Sequence, residues 1–331
     1  MAVYVGLDVG AKTVAMASRT QERSTLHEPI AQTPEGHRQA VRRIRALKPT
    51  LIVLEATGIY YLDLALALAE AGLPVAVING RSFHHFTQMK LGPSKTDALD
   101  AALLAEYAER MAPPLWTPPE ATQLTLRDLG RQINRLTGAR AQAKNRLHAL
   151  QAKRTTAALL IEDEKEGIAQ LNTRIERLRA AALELIASQP LLHTHMQHLQ
   201  AAKGIGEVSA IALLAELVLL PQELKSAQVS RHAGLDVRLH QSGTSVNQAA
   251  RLSKAGNAYL RAALYMPALS AVQHDPNVKA FYEALQRRGK KRLQALCAVM
   301  RKYLTGLWAC LQQGVPFDSS KLFNTKHHLE T

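Results

Sequence analysis

Apolar residues over the first third of the chain come in short runs of strand length. VYVGLDV and TVAMAS are joined by GAK, and STLHEPI has the length of a third strand. PEGHRQAVRRIRAL then shows helical spacing. TLIVLEA is a continuous apolar run of the kind a buried strand shows, YYLDLALALAEAG a helix ending at Gly72, and PVAVIN a further strand. Strands first in a run and then alternating with helices predict a mixed sheet with helices on its faces, an α/β domain over residues 1–111.

The run APPLWTPPE at 112–120 breaks this pattern, and its prolines make a stiff connector. Beyond it the apolar period changes to heptads. Leu129, Ile133, Leu136, Arg140, Ala143, Leu147 and Leu150 form one seam, apolar except at Arg140, and Ile168, Leu171, Ile175, Leu178, Ala182 and Leu185 form another. Gly130, Gly138 and Arg140 weaken the first arm. The pattern fits an antiparallel hairpin, a dimerising coiled coil, or two amphipathic helices packed on a core, and it defines a helical coiled-coil middle region at 112–187.

Residues 188–331 read as a mainly α domain. In AAKGIGEVSAIALLAEL, Lys203, Gly204 and Gly206 precede an alanine- and leucine-rich helix. Glycines there allow a tight turn whose N–H groups, with the helix N-terminus, can face a phosphate, as in a helix-hairpin-helix-like motif. A simple packing turn accounts for the same residues.

Charge favours the phosphate. The 331-residue chain has 41 basic and 27 acidic residues, a net +14. The excess is uneven: 12 basic against 11 acidic residues at 1–110, 12 against 8 at 111–187, and 17 against 8 at 188–331. Such a gradient implies a polyanionic partner for the C-terminal part. Cys297 and Cys310 are too few for a disulfide framework and lack zinc-site spacing. With no basic region ahead of an apolar run at the start and no uncharged stretch of membrane-spanning length, the expectation is a cytoplasmic protein with no membrane partner.

Four carboxylates stand out. Asp8 and Glu55 each end an apolar strand run, and Asp97 and Asp100 lie three apart in KTDALDAALLAEY. Like charges at that helical spacing repel by a few tenths of a kcal/mol, roughly, so something positive is expected between them. Each has an ordinary reading: Asp97 at a helix N-terminus, Asp8 in a turn, Glu55 on the surface. In combination they offer the oxygen-only donor set that a hard divalent ion such as Mg2+ takes.

The segments GLDVGAKT, IVLEATGIYY and KTDALDAALLAEY, followed by KGIGEVSAIALLAEL and AGLDVRLHQSGTSVNQAARLSKAGNAYLRAALYMPAL, resemble in that order the bacterial transposases of the insertion-sequence family "one-ten", also called bridge-RNA-guided recombinases. The resemblance covers nearly the whole chain. It implies an RNase H-like (RuvC-like) N-terminal domain with a D, E, D, D set at Asp8, Glu55, Asp97 and Asp100, a coiled-coil connection, and a C-terminal transposase domain at 188–331 with a nucleophilic serine. The family's S-G-[ST]-S run puts that serine at Ser242.

A serine hydroxyl needs activation, and Arg231, Arg238, Arg251 and Lys254 supply positive charge around Ser242 for a scissile phosphate, with one acid, Asp236. The resemblance further implies Mg2+, donor and target DNA, a non-coding bridge RNA that selects the target, and a homo-oligomer, dimeric or tetrameric on DNA. A RuvC-like metal-dependent nuclease or junction resolvase without serine chemistry is the alternative. A non-enzymatic nucleic-acid-binding scaffold is a third reading.

Overall fold

The computed structural model describes residues 1–21, 23–56, 58–90, 96–242 and 246–323, the side chains of 239–242 and 246–250 excepted. The chain divides into two compact units, Met1–Pro118 and Pro119–Thr331.

The first unit has strands β1 (Tyr4–Val9), β2 (Thr13–Thr20) and β3 (Arg23–Ala31), helix α1 (Pro34–Ala46), β4 (Leu51–Glu55), α2 (Tyr61–Glu70), β5 (Val75–Ile78), α3 (Gly80–Met89) and α4 (Asp97–Met111). They form one sheet in the order β3-β2-β1-β4-β5. The first three strands are antiparallel and β4 and β5 run parallel to β1, the RNase H-like arrangement.

Alternation along β1 and β4 explains the layering. Val5, Leu7, Val9, Ile52 and Leu54 pack with Ala40 and Ile44 of α1 and Leu64, Ala65 and Leu68 of α2. Leu51 and Val53 face the other way, onto Phe83 and Phe86 of α3 and Leu104, Tyr107 and Ala108 of α4. Both sheet faces are therefore covered, which is why β4 reads as an unbroken apolar run.

Helix α3 and the two-stranded sheet described below were not expected from the apolar pattern. The proline-rich connector closes on this unit: Trp116 packs on the α1/α2 side and its backbone N–H donates to the Val75 carbonyl at 2.7 Å.

The second unit opens with α5 (Ala121–Ala152) and α6 (Ala158–Ala187). Arg140 donates to Asn172 at 3.0 Å and Arg146 pairs with Glu164 at 2.6 Å, so the two helices run antiparallel within one chain. Arg140, the polar break in the first seam, thus has a partner across the hairpin. Ile133, Leu136 and Ala143 of one arm and Ile175 and Ala182 of the other are buried.

Next come α7 (Pro190–Gln200), α8 (Glu207–Leu217), α9 (Ser226–His232), strands β6 (Val237–Ser242) and β7 (Val246–Leu252), α10 (Ala258–His274), α11 (Pro276–Arg287), α12 (Arg292–Gln313) and α13 (Ser319–Leu322). One apolar core runs from Leu126 and Ile186 through α8, α10 and α12 to Phe323, with Tyr303 and Trp308 fully buried. Residues of the expected middle region and of the C-terminal region thus share a core. Gly130 marks a close helix crossing: a Cβ there would stand 2.7 Å from the Ala215 methyl. Burial raises the thiol pKa of both free cysteines, Cys297 and Cys310.

Candidate active site

The four carboxylates occupy one edge of the first unit. Parallel pairing of β1 with β4 sets Leu7 opposite Leu54, so Asp8 and Glu55 are the next residues on neighbouring strands. Each lies two positions beyond a residue on the α3/α4 side, Gly6 and Val53, and therefore shares that side.

Helix α4 crosses β1 at Gly6, where an added Cβ would meet the Ala101 carbonyl oxygen at 2.1 Å and the Ala105 nitrogen at 2.3 Å. Further along α4, Glu109 accepts from Arg19 at 2.6 Å, and Arg19 is paired across the sheet with Tyr4 at the start of β1. The helix therefore runs opposite to β1, and its first turn lies towards the strand ends that carry Asp8 and Glu55.

Asp97 and Asp100 stand one turn before Ala101 and Leu104, continuing the sheet-facing stripe. Thr96 caps the helix, its Oγ1 accepting from the Leu99 N–H at 3.3 Å. Asp97 is exposed, while Asp8, Glu55 and Asp100 are half-buried. The Glu55 carboxylate lies against the start of α3: a Cβ on Gly80 would fall 2.2 Å from Oε1.

Among the described residues, no three Asp, Glu, His or Cys side chains are gathered tightly enough to hold a metal as they stand. The donor chemistry of the edge nonetheless fits a hard divalent cation, since two strand ends and one helical turn offer carboxylate oxygens alone.

Ser242 ends β6, its backbone in register with Val246 of β7, and residues 243–245 of the S-G-T-S run lie outside the described residues, as does the Ser242 side chain. At the other end of the hairpin Arg238 pairs with Arg251, and both are exposed. Like charges directly opposite on a strand pair are destabilising. Arg231 and Lys254 are also exposed. Asp236 accepts from the Ser253 hydroxyl and its carbonyl from the Ser253 N–H, which closes the hairpin's neck.

The G-x-G turn has a packing reason. Gly204 has φ +87° and a Cβ there would lie 2.5 Å from the Pro267 carbonyl oxygen, while the Lys203 carbonyl accepts from Tyr303 Oη at 2.9 Å. Gly206 borders open space before α8, and Glu207 in that helix's first turn is paired with Arg179 at 2.7 Å.

Two family profiles match the chain. One, of the DEDD IS110 type and described as a transposase, covers residues 5–154; the other, described as the transposase IS116/IS110/IS902 family, covers residues 196–283. The chain belongs to the IS110 family of transposases.

Relatives of this IS110 transposase include the pilin gene-inverting proteins of Moraxella bovis, 26% identical over 95% of this chain and 97% of that protein, and of Moraxella lacunata, 29% identical over 81% of each. A 43.6 kDa protein of insertion element IS110 from Streptomyces coelicolor is 22% identical over 96% of each chain. A solved structure, T. thermophilus RuvC in complex with Holliday junction substrate, matches with TM-score 0.28 and 16% identity over 34% of this chain and 96% of that one, too slight a likeness to carry weight. Among the described residues of the transposase no helix is long and apolar enough to cross a membrane.

A polar cluster that the apolar pattern did not reveal joins α5, α8 and the start of α10 in this transposase. Glu216, 3% exposed, accepts two bonds from Arg131 at 2.6 and 2.8 Å and one from Asn257 Nδ2 at 2.5 Å. Asn257 also caps α10, accepting from the Tyr259 and Leu260 N–H groups, and its own N–H donates to the His232 carbonyl at 2.7 Å. Arg131 lies over the Tyr259 ring, 4.8 Å from its centroid. A lone glutamate within ALLAEL was the available signal, because an acid amid buried alanine and leucine requires a partner.

Proposed function

We propose that this transposase cuts and rejoins DNA through a covalent serine–DNA intermediate at Ser242, assisted by Mg2+ held on Asp8, Glu55, Asp97 and Asp100. The observation that carries the metal half is the meeting of two strand-end acids and the first turn of α4 on one edge of an RNase H-like sheet. The serine half rests on the family's S-G-[ST]-S run. The relatives named for pilin gene inversion favour it over hydrolysis, because inverting a segment demands that every cut strand be resealed.

Ser242 Oγ forms a bond to phosphorus as the bond from phosphorus to a deoxyribose oxygen breaks. The hydroxyl proton passes to solvent or a base and the leaving oxygen takes up a proton. Reversal by another strand's hydroxyl restores the phosphodiester without ATP. A bound divalent ion supplies Lewis-acid stabilisation of the phosphoryl oxygens. Arg231, Arg238, Arg251 and Lys254 hold the phosphate backbone near the serine, and Lys203, Gly204 and Gly206 offer a further backbone contact.

Three parts divide the work: 1–111 for the metal, 112–187 for connection, and 188–331 for the nucleophile. A bridge RNA pairs with donor and target DNA, leaving the protein to grip backbones by charge and shape. A homo-oligomer, dimeric or tetrameric on DNA, lets the serine of one subunit act with the acids of another.

Denaturing gels of the chain with its element-end DNA and RNA test this reading. A protein–DNA adduct that needs a divalent metal and vanishes in Ser242→Ala is expected; cleavage that persists in Ser242→Ala without any adduct would establish the RuvC-like nuclease instead. Mixing Ser242→Ala and Asp8→Ala chains should restore strand exchange if the site is shared.

A further inference from the structure

Asp8 and Glu55 follow the last paired residues of two neighbouring strands. Pairing of β1 with β2 continues to Val9 opposite Val14, and pairing of β4 with β5 to Glu55 opposite Ile78. Between β1 and β4 the register stops at Leu7 opposite Leu54, one residue before the acids. Beyond that last pair the two strand ends carry the carboxylates, and like charges there repel.

Gln32 ties together the segments that follow the two acids. Its Nε2 donates to the Tyr60 carbonyl at 2.8 Å, on the segment after Glu55, and to the Gly10 carbonyl at 3.3 Å, in the turn after Asp8. Carbonyl oxygens only accept, so the amide must present its NH2 to both and its Oε1 elsewhere. His37 Nε2 lies 2.6 Å from that Oε1, which fixes the ring as the Nε2–H donor.

The support beneath is also ordered. The Gln32 N–H donates to the Lys12 carbonyl at 2.9 Å, Thr33 caps α1 by accepting from the Gly36 N–H at 3.1 Å, and Gly36 sits so close to β3 that a Cβ would be 1.9 Å from the Ala31 carbonyl oxygen. A side chain anchored this way cannot follow either strand end independently.

We propose that Gln32 is a positioning residue for the carboxylate edge, oriented by His37, and that it sets the spacing of Asp8 and Glu55 for a divalent cation. This rests on the reading of those acids as metal ligands. Neither residue belongs to the D, E, D, D set, and both lie on the α1 side of the sheet, opposite the face that carries the acids.

The test uses the full-length chain and Mn2+, with free ion followed by electron paramagnetic resonance. Gln32→Met keeps the length and loses both donors, and His37→Phe removes only the orienting N–H. Gln32→Met should weaken Mn2+ binding about tenfold, in the range that supporting residues around metal ligands show. His37→Phe should do so by a smaller factor.

Thermal midpoints should stay at the wild-type value, and DNA cleavage by Gln32→Met should recover at saturating Mn2+, which general loosening of the fold would not allow. Binding unchanged in Gln32→Met and His37→Phe but abolished in Asp8→Asn would overturn the tie and leave the metal reading standing. Wild-type binding equal to that of Asp8→Asn would overturn both. Should Gln32→Met not fold, His37→Phe decides by the same measurement.

Discussion

The carboxylate of Glu55 rests against Gly80, the first residue of α3, with room for a hydrogen and no more. A methyl group at position 80 would displace the carboxylate, which is the far end of a flexible side chain and can turn away. Gly80→Ala should therefore cost little stability, under about 1 kcal/mol, while moving one ligand of the proposed metal site. Metal-dependent cleavage is expected to fall roughly tenfold with the unfolding midpoint preserved. Undiminished cleavage would mean that the position of Glu55 is immaterial.

Gly6 poses the opposite case. A Cβ would strike the Ala101 carbonyl oxygen and the Ala105 nitrogen, both backbone in the middle of a helix, and the Leu104 Cβ, which moves only with that backbone. In Gly6→Ala the helix must lift from the sheet, carrying Asp97 and Asp100 with it. Overpacking of this kind costs about 1–3 kcal/mol, and more where backbone is displaced. Urea unfolding should show that loss in the first unit's transition, and divalent-metal binding should weaken. Wild-type behaviour in both would show that α4 does not sit where its glycine contact requires.

Glu216 and Arg131 give a prediction for the second unit. Removing one partner of a buried pair leaves the other charge uncompensated, at about 3–5 kcal/mol when both are fully buried. Arg131's side chain is 35% exposed and water will offset part of that. Arg131→Met should therefore destabilise by about 2–3 kcal/mol in chemical denaturation. Glu216→Gln, which leaves a smaller dipole for Arg131 and Asn257, should cost less. Equal stability of Arg131→Met and wild type would show that the buried pair does not hold the second unit together.

What could be read beforehand follows from where apolar residues dominate. Strands such as LIVLE and VAVI are buried on both sheet faces and announce themselves by continuous hydrophobicity. Helix α3, GRSFHHFTQM, does not: Phe83 and Phe86 alone are buried, and the Asn79 cap, whose side chain accepts from the Arg81 N–H, was the remaining clue. The β6–β7 hairpin is hidden in the same way, since VRLHQS and VNQAARL lack clean alternation.

The strand-end acids and the D-x-x-D turn were visible as residue types at a spacing, and their shared edge needed the strand order and the direction of α4. Gln32 carried no signal at all, because its role depends on carbonyls 22 and 28 residues away. Ser242 was singled out only through the family's motif; its polar surroundings resemble any surface loop.

Arg238 and Arg251 allow the charge argument to be tested without reference to chemistry. They are paired in register across β6 and β7 and both are exposed, so each raises the cost of the other. A phosphate contact releases condensed counterions, and each one lost should flatten the dependence of log affinity on log salt by about one unit. Arg238→Gln with Arg251→Gln should therefore reduce the slope by nearly two and weaken binding to DNA of any sequence to a similar degree. The unbound double variant should also be slightly more stable than wild type, since the mutual repulsion is gone. Fluorescence anisotropy over a salt series reads the first effect and thermal unfolding the second. An unchanged slope with raised stability would assign the pair to solvent, and would leave the basic excess of the C-terminal part to be accounted for by other residues.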